Sequence, residues 1–216
     1  MYYIRKRIRN FLIQRPYLWK YWRKYRVYEK SRRTEKTRYQ GKAKERLNGL
    51  EYLLERCEGK TVLDIGCSDG LIDLEFSKSG ISLIHGIEIE TSAVEDARKN
   101  FEGLSLNYKF IQGDLALSKS EFEKKYAEFL EEKYDIVLFL AVYHHLKYQM
   151  SSKGLQSFVE NLFSKVSKWL AIRGNNEDLK KGSPLSIILE RQNFKEVHTA
   201  DRNNPKLGII KIFERI

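Results

Sequence analysis

Thr61-Val-Leu-Asp-Ile-Gly-Cys-Ser-Asp-Gly70 is the stretch of the sequence that decides the fold. Its apolar first half predicts a buried β-strand, and its second half predicts a tight turn that leads into a helix starting near Leu71. Glycine permits a positive φ and lacks the Cβ that would keep a ligand away from the backbone. The unpaired N–H groups of the helix start face the same crevice. A strand, turn and helix joined in this way hold nucleotide-like ligands in open α/β sheets.

The spacing Asp64-x-Gly66-x-Ser68-x-Gly70 resembles the first motif of class I S-adenosylmethionine-dependent methyltransferases, in which G-x-G-x-G follows an acidic residue. Ser68 replaces the middle glycine, a position that another small residue can occupy. The NAD fingerprint G-x-G-x-x-G fits less well, because it also needs a glycine where the chain has Leu71. The resemblance implies that these four residues bind S-adenosylmethionine. On this segment alone, a tight turn without a ligand is the alternative.

The second predicted strand, Ser82 to Glu88, ends in an acidic residue about 20 residues after the glycine-rich turn. In doubly wound folds, a carboxylate at this place accepts hydrogen bonds from ribose hydroxyls. We therefore predict that Glu88 binds the ribose of the cofactor. Glu90 is the competing carboxylate, although it lies beyond the strand end. A solvated surface glutamate is the alternative.

The third predicted strand, Leu106 to Gln112, is followed by Gly113-Asp114-Leu115. The family resemblance implies that the side chain of Asp114 meets the adenine amino group. It also implies that the backbone N–H of Leu115 faces the adenine ring. A turn aspartate is the alternative, because aspartate is favoured in turns for backbone reasons.

The fourth predicted strand, Tyr134 to Ala141, is the most apolar, as expected of a parallel strand covered on both faces. It leads into residues 142–146, which resemble an element of many small-molecule O- and N-methyltransferases that lies beside the cofactor sulfonium. The resemblance assigns Leu140 to the cofactor pocket and matches His145 to the histidine of that element, with His144 before it. Imidazole titrates near neutral pH, so either histidine could accept a proton from an acceptor hydroxyl or amine. A histidine that only orients the following helix is the alternative.

Several absences narrow the chemistry. No Asn-Pro-Pro-Tyr or Asp-Pro-Pro-Tyr element of base-amino methyltransferases follows the fourth strand, and no Pro-Cys nucleophile is present. Cys57 and Cys67 are the only cysteines, so we expect neither covalent catalysis through cysteine nor a disulfide framework. We also expect no bound metal. Tyr143 is a candidate for the wall of the acceptor pocket.

Periodicity in the rest of the chain predicts helices and strands in alternation, closed by a hairpin. The predicted helices cover 118–133, 155–166 and 183–192, and the predicted strands cover 168–174, 194–199 and 207–213, with a turn at 201–205. The first of these helices is a charged insert whose alternating charges indicate a solvated face. We therefore predict a doubly wound α/β fold. Its sheet is seven-stranded and mostly parallel, with an antiparallel last strand.

Residues 1–36 hold 13 of the 40 Lys and Arg residues but only two of the 29 Asp and Glu residues, and so carry the whole net charge of +11. This extension also contains nine aromatic residues, and apolar residues at helical spacing on both sides of Pro16 predict two basic amphipathic helices. It could bind an anionic membrane surface, bind RNA, or pack as a lid on the domain formed by residues 37–216. The family resemblance also implies that Tyr39, Gln40 and Arg46, which precede the first strand, close over the methionine end of the cofactor.

The sequence thus predicts one methyltransferase domain behind a basic extension. No apolar run approaches the ~18 residues of a membrane span, and no secretory signal is visible, so we expect a cytoplasmic protein that is peripheral to the inner membrane face if the extension binds lipid. The predicted reaction is methyl transfer to an O or N acceptor on a small molecule or saccharide, lipid-linked in the membrane case. An RNA methyltransferase and a non-catalytic cofactor-binding partner subunit are the alternatives.

Overall fold

The computed structural model describes residues 46–200 and 208–216. The predicted basic extension over residues 1–36, the boundary at residue 37, Tyr39 and Gln40, and the turn at 201–205 all lie outside the described residues. None of the helices in the described ranges is both long and apolar enough to span a bilayer.

One sheet of seven strands, in the order β3-β2-β1-β4-β5-β7-β6, forms the centre of the described chain. The strands are β1 (Thr61–Ile65), β2 (Leu83–Glu88), β3 (Asn107–Gln112), β4 (Tyr134–Leu140), β5 (Val166–Gly174), β6 (Phe194–Ala200) and β7 (Ile209–Arg215). Strands β1 to β5 pair in parallel, and β7 is antiparallel to both of its neighbours. The predicted doubly wound sheet with an antiparallel last strand is therefore confirmed. The strand order reverses between β1 and β4, which places the ligand crevice of such folds at their carboxyl ends.

Eight helices connect or flank these strands within the described ranges. They are α1 (Glu51–Leu54), α2 (Leu71–Lys78), α3 (Thr91–Phe101), α4 (Lys119–Tyr126), α5 (Tyr143–Gln149), α6 (Ser152–Ser164), α7 (Asn176–Leu179) and α8 (Pro184–Arg191). Helix α8 begins as predicted, with Ser183 Oγ accepting a hydrogen bond from the Ser186 N–H and Pro184 in the first turn.

The predicted helix over 155–166 differs from the observed one at both ends. Helix α6 begins at Ser152, because Ser151 Oγ caps it by accepting from the Gly154 N–H at 3.1 Å. It ends at Ser164, because the Tyr134 N–H donates to the Lys165 carbonyl at 2.8 Å and draws the chain into β5. Sheet pairing thus overrides the helical periodicity of the last two predicted residues.

Both faces of the sheet are covered, as β1 illustrates. Leu63 and Ile65 pack in the apolar layer that contains α4, α6 and α8, whereas Val62 packs in the layer that contains α2 and α3. Side chains alternate along a strand, so Asp64 points to the same face as Val62, into the layer beneath α2. The charged insert has a narrow buried face and a broad solvated one: α4 buries Phe122 and Tyr126 and exposes its six other residues.

Candidate cofactor and active site

The turn after β1 contains three residues with positive φ: Gly66 at 82°, Ser68 at 53° and Gly70 at 69°. The Gly66 N–H donates to the Ile87 carbonyl at 2.8 Å, which ties the turn to β2. Because Ser68 takes up the left-handed conformation, a glycine would suit this position, as the family motif has it. The serine is accommodated at the cost of local backbone strain.

Replacing Ser68 with glycine is expected to raise the free energy of unfolding by about 0.5–1 kcal/mol, because relief of the left-handed strain outweighs the extra chain entropy of glycine. The midpoint of urea unfolding measures this. Ser105→Gly is the matched control, since Ser105 is an exposed loop serine outside the positive-φ set. It should lower the stability by about 0.5 kcal/mol. Equal effects of the two changes would contradict strain at Ser68.

The two glycines of the turn are needed for packing within the chain. A Cβ on Gly66 would lie 2.6 Å from Cγ2 of Val142, the residue before α5. A Cβ on Gly70 would lie 3.1 Å from the Cβ of Ala97 on α3. The turn therefore lies directly against the starting point of α5 and against α3. A ligand was expected to approach the backbone at these glycines. The space beside them is instead occupied by the side chains of Val142 and Ala97.

Glu88 joins the carboxyl ends of three neighbouring strands. Its Oε2 accepts from the Ser68 N–H and its Oε1 from the Glu90 N–H, both at 3.0 Å, and its carbonyl accepts from the Gly113 N–H at 2.8 Å. The competing carboxylate, Glu90, instead accepts a hydrogen bond from the Ser92 hydroxyl at 2.8 Å, at the start of α3. Glu88 is thus the acid that the structure brings to the glycine-rich turn. Its hydrogen bonds to the ribose stay a prediction.

Asp114 and Leu115 follow β3 at the same end of the sheet. Asp114 Oδ1 accepts from the Ala116 N–H at 2.9 Å, which is the turn geometry given above as the alternative. The side chain of Leu115 is buried in the core, and its backbone N–H donates no hydrogen bond within the described ranges. An unpaired N–H at this edge suits the predicted contact with adenine.

Two carboxyl groups meet between β1 and α2 on the face beneath the glycine-rich turn. Asp64 is 2% exposed and Asp73, on the first turn of α2, is 0% exposed. Burial is the main cause that raises the pKa of Asp64 to about 7. Burial, and next the charge of Asp64, raise the pKa of Asp73 well above its ordinary value. A side-chain hydrogen bond between the two groups lowers the pKa of Asp64 and raises that of Asp73.

Sequence reasoning missed Asp73. A signal was present, because Asp73 stands three residues before the buried Phe76 and therefore on the inward face of α2. An acid on an inward helix face is a candidate functional group.

Arg173, at the carboxyl end of β5, is a second residue that sequence reasoning missed. Its guanidinium is buried and donates to the main-chain carbonyl of Arg46, and its positive charge lowers the pKa of Asp64. The Arg46 guanidinium lies 3.9 Å from Asp69 of the glycine-rich turn. Arg46 thus lies beside the glycine-rich turn, and its place at the methionine end of the cofactor stays a prediction. Among the described residues at this place, the two arginines accompany four acids, Asp64, Asp69, Asp73 and Glu88.

The predicted histidines lie on the first turn of α5, directly after β4. Their ring centroids are 3.9 Å apart, with His144 partly buried and His145 exposed. Ala141, two residues before α5, has a φ of 62°, so the chain leaves β4 through a strained residue. Strain of this kind clusters at functional sites.

Leu140 and Tyr143, which flank residues 141–142, are both buried. Tyr143 packs edge-on against Phe139, and burial raises the pKa of its hydroxyl. The side chain expected to line the acceptor pocket therefore belongs to the core. Leu140, assigned to the cofactor pocket, is 8% exposed and packs in the layer beneath α2.

The site fits a cationic nucleoside carrying an amino acid. No donor in residues 46–200 or 208–216 gives a hydrogen bond to Asp64 Oδ1 or to either carboxylate oxygen of Asp73. No side chain caps the N-terminus of α2, so its first N–H groups are open to a ligand. Within the same ranges, no group of three His, Cys, Asp or Glu side chains has the arrangement of a metal site. The absence of a resident metal stays a prediction.

Comparison with known proteins agrees with this geometry. Residues 62–164 match the family model described as a methyltransferase domain. Ribosomal protein L11 methyltransferase of Dictyoglomus turgidum is 33% identical over 81 residues, which are 38% of this chain and 23% of that protein. Ubiquinone biosynthesis O-methyltransferase of Actinobacillus pleuropneumoniae is 32% identical over 85 residues, which are 34% of this chain and 36% of that protein. The matched segments thus cover less than half the length of either relative.

Among solved structures, magnesium protoporphyrin IX methyltransferase of Synechocystis with bound S-adenosylmethionine superposes with a TM-score of 0.60 at 20% identity, over 82% of this chain and 80% of that one. This likeness shows a shared fold. Together with the glycine-rich turn, Glu88 and the family match, it identifies the described residues, 46–200 and 208–216, as a class I methyltransferase domain whose cofactor is S-adenosylmethionine.

Proposed function

We propose that the chain transfers the methyl group of S-adenosylmethionine to a hydroxyl or amino group of a small molecule or saccharide. The observation that carries the proposal is the His144–His145 pair, which follows β4 immediately and opens α5 beside the glycine-rich turn. A group that titrates near neutral pH at this place can accept the proton that a hydroxyl or amine must lose.

The residues of the chain contribute binding, orientation and proton transfer. S-adenosylmethionine supplies an electrophilic methyl carbon on a sulfonium. The glycine-rich turn and Glu88 position the cofactor, and the start of α5 positions the acceptor against it. One imidazole of the pair accepts the acceptor proton as the new bond to the methyl carbon forms.

The names of the relatives suggest two kinds of acceptor. One relative is named for a ribosomal protein and the other for O-methylation in ubiquinone biosynthesis. The second name supports a small-molecule hydroxyl, which agrees with the element at residues 142–146. Since each match covers less than half of the relative, this support extends to the cofactor half of the reaction and only weakly to the acceptor.

Label transfer tests the acceptor class. The full chain is incubated with S-adenosylmethionine tritiated in the methyl group and with four fractions of a cell extract: small molecules and free saccharides, lipid-linked glycans, RNA, and protein. Label in either of the first two fractions supports the proposal. Label in RNA or protein alone would overturn it. Binding of S-adenosylhomocysteine without label in any fraction would instead identify a cofactor-binding partner subunit.

Replacing both His144 and His145 with alanine is expected to lower kcat by about 10²–10⁴, the usual contribution of a general base, while S-adenosylhomocysteine still binds. The single variants show which imidazole accepts the proton, because replacing the active one should remove the acidic limb of the kcat profile. Loss of cofactor binding together with turnover would indicate that the pair only orients α5. His198→Ala on β6 is the control for loss of an imidazole elsewhere.

The proposed location is the cytoplasm, at the inner face of a membrane. The charge of +11 and the nine aromatic residues of the extension support contact with anionic lipid. Sedimentation with vesicles of mixed neutral and anionic lipid tests this, and deletion of residues 1–36 should abolish it. Salt-sensitive RNA binding that depends on the same residues, without vesicle binding, would favour the RNA methyltransferase.

A further inference from the structure

We propose that Asp73 is a positioning residue of the cofactor site: it shares one proton with Asp64 in the empty site, and binding of the cationic cofactor expels that proton to solvent. The proposal goes beyond methyl transfer to any acceptor and rests on the cofactor site alone. It gives a role to a residue that neither the glycine-rich motif nor the histidine pair includes.

The geometry places the two carboxyl groups together and isolates them. Asp64 is the fourth residue of β1, and its neighbours across the sheet are Gly86 on β2 and Leu138 on β4, neither of which offers a polar side chain. Asp73 projects from the first turn of α2 onto the same face. No described group donates a hydrogen bond to Asp64 Oδ1 or to either oxygen of Asp73. Each carboxyl group is therefore the natural hydrogen-bond partner of the other, which requires one proton between them.

The charges on the neighbouring elements decide whether the Asp64–Asp73 pair keeps its proton or is fully ionised. Glu88 on β2 and Asp69 in the turn favour the protonated pair, whereas Arg173 on β5 favours ionisation. The neighbouring Cys67 is buried, which raises the pKa of its thiol and keeps it neutral. Arg46, 3.9 Å from Asp69, offsets part of the negative charge. Among the described residues the acids outnumber the arginines, which favours retention of the proton by the empty site near neutral pH.

A cationic ligand reverses this balance. S-adenosylmethionine and S-adenosylhomocysteine both carry an α-ammonium group, and a positive charge at the carboxyl end of β1 favours ionised carboxylates nearby. The bond that breaks is the O–H of the shared proton, which passes to the buffer. Asp64 and Asp73 are then both carboxylates, and the ligand ammonium together with Arg173 offsets the repulsion between them.

Calorimetry with S-adenosylhomocysteine in buffers of different ionisation enthalpy measures the expelled proton directly. Between pH 6 and 7, binding to the full chain should release up to about one proton, and the affinity should rise by up to about tenfold per pH unit. Release should diminish at higher pH, once the empty site has itself begun to lose the shared proton. Between pH 6 and 7 the ligand ammonium is protonated, so it contributes no proton of its own in that window.

Asp73→Asn is the critical variant, because an amide donates permanently to Asp64 and needs no proton from solvent. It should bind S-adenosylhomocysteine without proton release and with an affinity that is flat between pH 6 and 8. Glu95→Gln, which removes an exposed acid on α3, should behave as the unmodified chain.

Two results would contradict the proposal that Asp64 and Asp73 share a proton. One is the absence of proton release from the unmodified chain at any pH from 6 to 8, and the other is proton release that persists in Asp73→Asn. The first result needs no variant, so a misfolded Asp73→Asn leaves the proposal testable. Failure of S-adenosylhomocysteine to bind at all would contradict both the cofactor assignment and the proposed proton sharing. Failure of methyl transfer to any acceptor leaves the proton release measurable.

Discussion

Replacing Gly66 with alanine is expected to lower the free energy of unfolding by about 3 kcal/mol and to weaken S-adenosylhomocysteine binding by more than tenfold. Two costs add. The left-handed φ of 82° is unfavourable for alanine by about 1–2 kcal/mol. In addition, the new Cβ would lie 2.6 Å from Cγ2 of Val142, and overpacking of this kind costs about 1–3 kcal/mol. Urea unfolding and calorimetry with S-adenosylhomocysteine measure the two effects.

Gly59→Ala separates the two costs. Gly59 also has a positive φ, of 67°, but a Cβ there would meet nothing within 4 Å. We therefore expect this control to lose about 1–2 kcal/mol of stability from strain alone and to bind S-adenosylhomocysteine normally. Equal losses of stability in Gly59→Ala and Gly66→Ala would mean that overpacking against Val142 does not contribute to the destabilisation of Gly66→Ala.

Replacing Glu88 with alanine is expected to weaken S-adenosylhomocysteine binding by about 30–100-fold, which corresponds to the ~2–3 kcal/mol of a charged hydrogen-bonding group. The side chain has two tasks. Its carboxylate holds the Ser68 and Glu90 N–H groups, both at 3.0 Å, and so fixes the turn against β2. It is also the predicted acceptor for the ribose hydroxyls. Calorimetry gives the affinity, and the urea midpoint shows whether the fold is retained.

Glu90→Ala is the matched control, two residues further along the chain. Its carboxylate accepts from the Ser92 hydroxyl at the start of α3, so its removal should weaken binding by less than about threefold. A larger loss in Glu90→Ala than in Glu88→Ala would transfer the ribose contact to Glu90 and contradict the assignment made from the strand end.

Local patterns were sufficient for the architecture. Alternating apolar residues, the glycine-rich turn and the Ser-Pro helix start depend on neighbours within a few residues, so they are readable in one chain. The prediction failed where long-range pairing competes with local periodicity, as at the junction of α6 and β5. There, the hydrogen bond from the Tyr134 N–H to Lys165 ends the helix before its apolar pattern does.

Site residues at strand ends were predictable for a related reason. Glu88 and Asp114 each follow a parallel strand, and the carboxyl ends of parallel strands meet at one edge of a sheet. The direction of Tyr143 was not readable in the same way, because it depends on how α5 packs: the ring lies against Phe139 in the core, and its place in the wall of the acceptor pocket stays a prediction.

The sequence by itself determined the fold class and the set of strand-end residues, since both follow from short-range spacing, and its resemblance to class I methyltransferases implied the cofactor. Only the tertiary structure decided that the space at Gly66 is taken by Val142, that Arg173 faces the acids of β1, and that Asp73 meets Asp64. These contacts join segments that are distant along the chain or lie on different elements. Burial then turns two ordinary carboxyl groups into one proton-sharing pair, a property that exists only where water is excluded from both.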